Sequence, residues 1–343
     1  MADPDHPSIV RFGVVGVAHP HAIVLTAGLL EAGAECVGWV DTPGDHDGIF
    51  ALVFPDVPVV APDDLRAARP DLVVIAPVPS LRADHATQWL ETGADVLVAK
   101  PAVVDDEQLG RVRGAVATTG RRWWVAYTEH LTSRAVVHAD ALIADGRIGT
   151  VRHVLGLGPH RLGDSRPDWF FDPARSGPML ADLASHQIHH AARLLGSTDL
   201  AVVAARTTPA VDRAHPEQVG ELLLEGGSGS AYIRVDWLTP DGLESWGDVR
   251  LMITGETGTI EVRANTDPGG EPGADHLIVI DGDGTERIDC SGHGLSWAST
   301  LLDDVRNGTE SLVTTDHCLA VTEVALDAAR AVLSARPAPR PDP

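Results

Sequence analysis

The chain has 343 residues, 44% of them hydrophobic, and 49 Asp plus Glu against 26 Lys plus Arg give a net charge of −23. That length predicts one large or two ordinary domains with a full-sized core. The acid, spread without any basic stripe, excludes nucleic acid and anionic membrane surfaces as partners. Cys36, Cys290 and Cys318 form no CxxC pair, so neither a disulfide framework nor a cysteine zinc site is expected. With no secretory leader pattern and no 18-residue apolar span, a cytoplasmic location is expected.

The first third of the chain alternates. Apolar runs predict strands over 9–15, 35–40, 72–76, 96–99 and 123–127, and helical patterns cover 21–32, 83–93 and 106–118. Short buried strands spaced by helices of about 10–15 residues predict an α/β fold with a Rossmann-type, doubly wound parallel sheet. Beyond residue 130 the pattern changes. A helix over 133–145 leads to a strand over 151–157, a long loop and a helix over about 179–195. Hairpins follow, pairing 221–225 with 230–235, 249–254 with 259–262, and 276–280 with 285–288 across Gly-rich turns. A helix over 317–334 comes last. The predicted organisation is a dinucleotide-binding domain over 1–128, then an α+β domain with a mostly antiparallel open sheet over 129–334 for substrate binding and oligomerisation. A disordered Pro-rich tail is expected over 335–343. The open sheet face needs cover, which points to a homodimer or homotetramer.

Between the first strand and first helix stands Gly13-Val14-Val15-Gly16-Val17-Ala18-His19-Pro20-His21. A dinucleotide turn reads GxGxxG from Gly16. Here Ala18 fills the second glycine position and His21 the third. The helix start still offers free N–H groups to an anion, so Gly16, Ala18, His19, Pro20 and His21 are candidate cofactor contacts. Asp41 closes the second strand about 20 residues on, where an acid bonds the adenosine-ribose 2′-hydroxyl; a simple turn-forming Asp is the alternative. Residues 42–47 hold no Arg or Lys, so a 2′-phosphate meets repulsion and NAD is favoured over NADP. Ala76 and Pro77, at the end of the third strand, join the cofactor-binding candidates.

Lys100 is the only lysine in the chain. It follows the fourth strand in Val96-Leu97-Val98-Ala99-Lys100-Pro101. A lysine can share a proton where an arginine stays charged, so the position is a candidate for chemistry as well as for cofactor contact. The strongest constellation is Asp182, His186, His189 and His190, spaced i, i+4, i+7 and i+8 on one predicted helix stripe. An acid beside an imidazole suits proton movement near neutral pH. A helix-stabilising pair ranks second, a metal site third, and no metal is assigned.

These residues resemble the Gfo/Idh/MocA family of NAD(P)-dependent oxidoreductases over nearly the whole chain. Ala99-Lys100-Pro101 resembles the family's Glu-Lys-Pro signature, and Ser176-Gly177 with Asp182, His186 and His189 resembles its GGxxxDxxxHxxD segment. Gly146-Arg147-Ile148-Gly149 and Gly255-Glu256-Thr257-Gly258-Thr259 look like its second-domain turns. The resemblance implies that Lys100, Asp182 and His186 are catalytic beside the nicotinamide. It also implies hydride transfer to or from a secondary hydroxyl of a sugar, sugar derivative or cyclitol. The chain departs from the pattern at Ala99, Pro178, His189, Ala18 and His21. Loop position adds Tyr127, Glu129, His130, His160, Arg161 and Trp169 as substrate-binding candidates, and His189, at the family segment's last Asp position, joins them. Two rival functions remain at this stage. One is an NAD-assisted lyase or glycosidase acting by transient sugar oxidation. The other is a non-catalytic sugar- or dinucleotide-sensing protein.

Overall fold

The computed structural model describes residues 9–44, 47–209, 217–267, 269–270 and 273–335. The Pro-rich tail from 336 onward, with Asp45 and His46, lies outside the described residues. The chain divides into two compact units. The first comprises the described residues through Leu131, Pro167–Gly177 and Leu295–Thr322; the second comprises Thr132–Arg166, Pro178–Gly294 and the described residues from Glu323. The boundary expected at 128/129 lies close to the first crossing, and the chain crosses again several times after it.

In the first unit β1 (Arg11–Val15), β2 (Glu35–Val40), β3 (Leu72–Ile75), β4 (Asp95–Ala99) and β5 (Trp123–Ala126) form one sheet in the order β2-β1-β3-β4-β5. All four pairings are parallel. Every residue of β3, β4 and β5 is buried, as expected when helices cover both faces of a parallel sheet. Asp95, 1% exposed, opens β4. It accepts a bond from the Arg122 backbone at 3.0 Å and an ion pair from its guanidinium.

The helices flanking the sheet follow their punctuation. Pro79 opens Pro79–Thr92 and left-handed Gly93 ends it, so this helix starts four residues before the apolar pattern suggested. Asp105 caps Asp106–Thr119 by accepting from the Gln108 backbone at 2.8 Å. Helices Asp47–Val53, Pro62–Ala68 and Trp297–Asn307 were not anticipated. Trp297, Leu301 and Leu302 complete the hydrophobic core around β1 and His21–Glu31. Gly28 makes that possible: a Cβ there would lie 2.2 Å from Trp297 Cζ2. Gly28→Ala gains helix propensity of up to about 1 kcal/mol but drives a methyl into a buried indole. Net destabilisation of about 1–2 kcal/mol is expected by urea titration.

The second unit holds an eight-stranded sheet: β6 (Val151–Pro159), β7 (Ala201–Thr208), β8 (Val219–Gly226), β9 (Gly229–Asp236), β10 (Arg250–Gly255), β11 (Thr259–Arg263), β12 (His276–Asp281) and β13 (Gly284–Asp289). The order is β13-β12-β11-β10-β6-β9-β8-β7. Only β6 and β9 pair in parallel, and the three expected hairpins form in register. Edge strand β7 was not predicted; its residues are largely exposed on both faces, so it lacks an apolar alternation. Among the described residues no helix is long and apolar enough to cross a membrane.

His138 and His293 pack in this unit with Nδ1 atoms 2.9 Å apart. Burial, and then the neighbouring His293, hold the His138 pKa below its ordinary 6.5. The unfolded chain therefore binds the proton first. Stability is full above pH 6.5 and is lost as pH falls through and below it. Thermal unfolding of the second unit is expected to move down between pH 7.5 and 5.5, and His138→Gln is expected to flatten that dependence.

Candidate active site

In an open parallel sheet, ligands bind outside the carboxyl ends of the strands where the order reverses. Here that point is β1, between β2 and β3. The loops there carry residues 16–20, 41–44, 76–78, 100–101 and 127–128. A separate cavity of about 610 Å³, lined by Arg66, Arg69, Arg121, Arg122 and Arg306 among others, lies at the opposite strand ends. It is not where this chemistry belongs.

Gly16 is left-handed, φ 73°, and donates to the Val40 carbonyl at 2.9 Å. A Cβ on it would meet Pro77 Cα at 2.5 Å, so the turn after β1 lies hard against the loop after β3. Ala18 is buried and His19 half-buried. His19 Nδ1 accepts from the His21 N–H at 3.2 Å, and the two rings stand edge to face with centroids 4.2 Å apart. His21 Nε2 lies 3.0 Å from Thr128 Oγ1. His21 thus ties the first helix to the segment after β5, a job a third glycine cannot do. Pro20 begins the helix without a side-chain cap, and no acid occupies its first turn. That leaves the positive helix end uncompensated. Asp41 is exposed directly after β2 and Thr42 is buried. A left-handed glycine, an acid-free helix start and an exposed acid after β2 fit a dinucleotide.

Lys100 is 3% exposed at the end of β4. Its neighbours are fixed by a residue that sequence reasoning missed. Arg82, fully buried on the helix Pro79–Thr92, donates to Pro77 O at 2.9 Å, Ala99 O at 3.0 Å and Pro101 O at 2.9 Å. One guanidinium fork therefore joins the loops after β3 and β4 and grips both sides of Lys100. Gln108 extends the grip, accepting from Val104 N and donating to Ser80 O. Past β5, Tyr127, Glu129 and His130 are all buried. The Tyr127 hydroxyl lies beside Cys318 and Thr322, and burial pushes its pKa well above 10. Tyr127 therefore packs inside the first unit rather than presenting a hydroxyl to a ligand.

In the second unit the helix expected over 179–195 is interrupted. Met179–Asp182 and Ala184–Leu194 are separated at Leu183, and Ser185 Oγ donates back to the Asp182 carbonyl at 2.9 Å. Met179 N, at the start, donates to Glu217 Oε2 at 2.9 Å. His186, Gln187, His189 and His190 are all 1–2% exposed, and Asp182 is half-buried. The long segment lies flush on β6 because Gly156 and Gly158 leave space; a Cβ at either would come within 2.9 Å of the Gln187 amide. Burial lowers the Arg166 pKa, and the Asp182 charge opposes the shift. Arg166 stands over the Trp237 ring at 5.4 Å and donates to Leu162 O and Arg161 O. His160 Nδ1 lies 3.1 Å from Gly158 O, and its ring packs against Trp237 and Trp246. The Arg161 guanidinium is committed to carbonyls of the 240–243 loop, including Leu243 O. Trp169 belongs to the first unit, beside Gly44. Among the described residues no group of three or more His, Cys, Asp or Glu is placed to hold a metal.

A five-stranded nucleotide-type sheet with a lysine at a strand end is followed by an eight-stranded α+β unit carrying an Asp–His segment. Comparison with known proteins gives the family. The model of the GFO/IDH/MocA C-terminal domain matches residues 136–261. An oxidoreductase structure from Erwinia carotovora atroseptica is 34% identical, covering 94% of this chain and 98% of that one, with TM-score 0.90. The chain belongs to the Gfo/Idh/MocA family of oxidoreductases. A myo-inositol dehydrogenase structure from Sinorhizobium meliloti, 23% identical over 95% of this chain and 98% of that one with TM-score 0.74, shares the fold. The 1-carboxy-3-chloro-3,4-dihydroxycyclohexa-1,5-diene dehydrogenase of Comamonas testosteroni is 27% identical over 189 residues. The match takes in 52% of this chain and 46% of that protein, so it spans about half the length of that relative.

Proposed function

We propose that the protein is an NAD-dependent dehydrogenase transferring hydride between the nicotinamide and a secondary hydroxyl of a sugar, sugar derivative or cyclitol. The observation that carries this reading is the chain's single lysine, buried at the carboxyl end of β4 and held on both sides by Arg82. When bound, the nicotinamide supplies the hydride acceptor. Lys100 donates a hydrogen bond to the substrate oxygen and stabilises the alkoxide character that develops there. His186 takes the hydroxyl proton, worth about 10²–10⁴ in rate when well placed. Asp182 balances the charge on the imidazole. Asp41 bonds the adenosine ribose, with Gly16, Ala18, His19, Pro20, His21, Ala76 and Pro77 lining the rest. Glu129, His130, His160 and His189 contact the polyol. The cyclic diol and cyclitol in the relatives' names support a ring polyol. Self-association of the open sheet, where Met252 and Ile280 stay about half exposed, completes the reading as a homodimer or homotetramer.

The test is a panel of sugars and cyclitols offered with NAD and NADP, followed at the nicotinamide absorbance. Net reduction of the nicotinamide with a defined keto product supports the dehydrogenase. Substrate consumption without net reduction assigns a lyase or glycosidase. Nucleotide binding without turnover of any polyol assigns a sensor.

A further inference from the structure

The cavity of about 610 Å³ in the first unit opens at the amino-terminal ends of the strands, away from the cofactor candidates. Five of the chain's 25 arginines line it: Arg66, Arg69, Arg121, Arg122 and Arg306. They arrive from three separate stretches, the end of the helix Pro62–Ala68, the entry to β5 and the helix Trp297–Asn307. All three belong to the same unit. The protein that gathers these cations carries a net charge of −23.

Helix ends explain part of the convergence. Arg66 and Arg306 stand in the last turns of their helices, and Arg69 caps the first of them; a cation is favoured at each place. That does not account for Arg121 and Arg122, which lead into β5, nor for the backbone of Arg69. Its φ is 50°, and among the described residues Asp275 is the only other non-glycine residue with a positive φ. Glycine fits such a helix end best. An arginine there brings a charge to the cavity against a conformational penalty.

The acids in the wall already have donors. Asp95, 1% exposed, accepts from the Arg122 backbone and pairs with its guanidinium, and Asp71 accepts from Arg11 N at 2.9 Å. Arg122 is fixed further by donating to Asp304 O and Thr309 O. The other four guanidiniums are held loosely or not at all. Arg66 pairs with Asp63, whose side chain is 94% exposed, and Arg306 with Asp303, 65% exposed; exposed pairs of this kind exchange readily. The side chains of Arg69 and Arg121 make no hydrogen bond or ion pair among the described residues. Guanidinium forks take phosphate through paired hydrogen bonds. A single phosphate has too few oxygens to answer four forks at once, and linked phosphates supply them.

We propose that this cavity is a second binding site, for a polyphosphate anion, free or carried on a nucleoside. It stands apart from the dinucleotide reading, since none of the residues named for cofactor or chemistry lines it.

The test is calorimetry on the intact protein, free of divalent cations, with tripolyphosphate and ATP as probes and orthophosphate as the reference. The wild type is expected to bind tripolyphosphate at least about tenfold more tightly than orthophosphate, with an affinity that falls as salt rises. Arg69→Gly/Arg121→Gln is expected to weaken tripolyphosphate by about 10–100-fold. Both positions are exposed and glycine suits the φ of 50°, so the urea midpoint of this variant stays at or above that of the wild type. Arg111→Gln/Arg113→Gln changes the net charge equally from the helix Asp106–Thr119, outside the cavity, and binds within about twofold of wild type. ATP carries the same three phosphates: bound more tightly than tripolyphosphate and lost in the cavity variant, it identifies a nucleoside polyphosphate, and bound more weakly, a free one. The site is overturned if tripolyphosphate binds no better than orthophosphate, if the cavity variant binds it as the wild type does, or if the control variant weakens it as much.

Discussion

Lys100→Arg is expected to lower kcat by about 10²–10⁴ while nucleotide binding, read by fluorescence titration, stays within about twofold. An arginine keeps the positive charge, but its planar fork is larger than an ammonium and cannot place a compact point donor on the oxygen that Lys100 serves. The position is 3% exposed and set among Ala99, Ala102 and Val103, so the bulkier head also displaces whatever shares the space. Lys100→Met removes the charge at similar length and is expected to be as inactive, with the fold intact. Turnover retained in Lys100→Arg would remove the proposed role of the lysine and leave its burial as a packing feature.

Arg82→Leu is expected to cost about 3–5 kcal/mol in urea denaturation, the largest stability effect anticipated for any single change outside the hydrophobic core. The side chain is fully buried and answers three carbonyls at once, Pro77 O, Ala99 O and Pro101 O. Removing it strands three buried acceptors, each worth about 1–2 kcal/mol when left unmet. Arg82→Lys keeps the charge but cannot reproduce the fork. The lysine variant folds with a lowered midpoint, and its kcat falls more than its KM changes. That split identifies Arg82 as a positioning residue for the β4 loop. An unchanged kcat in a folded Arg82→Lys would show that the guanidinium serves stability alone.

What could be read in advance divides by the range of the interactions. The five parallel strands were legible because β3, β4 and β5 are buried on both faces and read as unbroken apolar runs. The hairpins were legible from their glycines. β7 was hidden because Ala201–Ala205 is apolar at every position, with no period-two alternation, and its residues stay largely exposed. The interruption at Leu183 turns on one hydroxyl, Ser185, bonding back to Asp182, a choice that helical spacing does not reveal. Lys100 announced itself by being alone in the sequence. Arg82 gave no such sign: an arginine in a helical stretch ordinarily points to water, and only the meeting of two strand-end loops draws this one inside. His21 looked like damage to a glycine pattern; the contact with Thr128 shows what it gained instead.

The repeated crossing of the chain between its two units limits how the protein can be cut. A fragment ending at residue 128 would leave behind Trp297, Leu301 and Leu302, and with them the lid on the core around β1. It would also discard the acceptors to which Arg122 donates, Asp304 O and Thr309 O. Chimeras that graft the nucleotide half onto another catalytic half therefore need five splice points rather than one, carrying 167–177 and 295–322 along with the amino-terminal stretch.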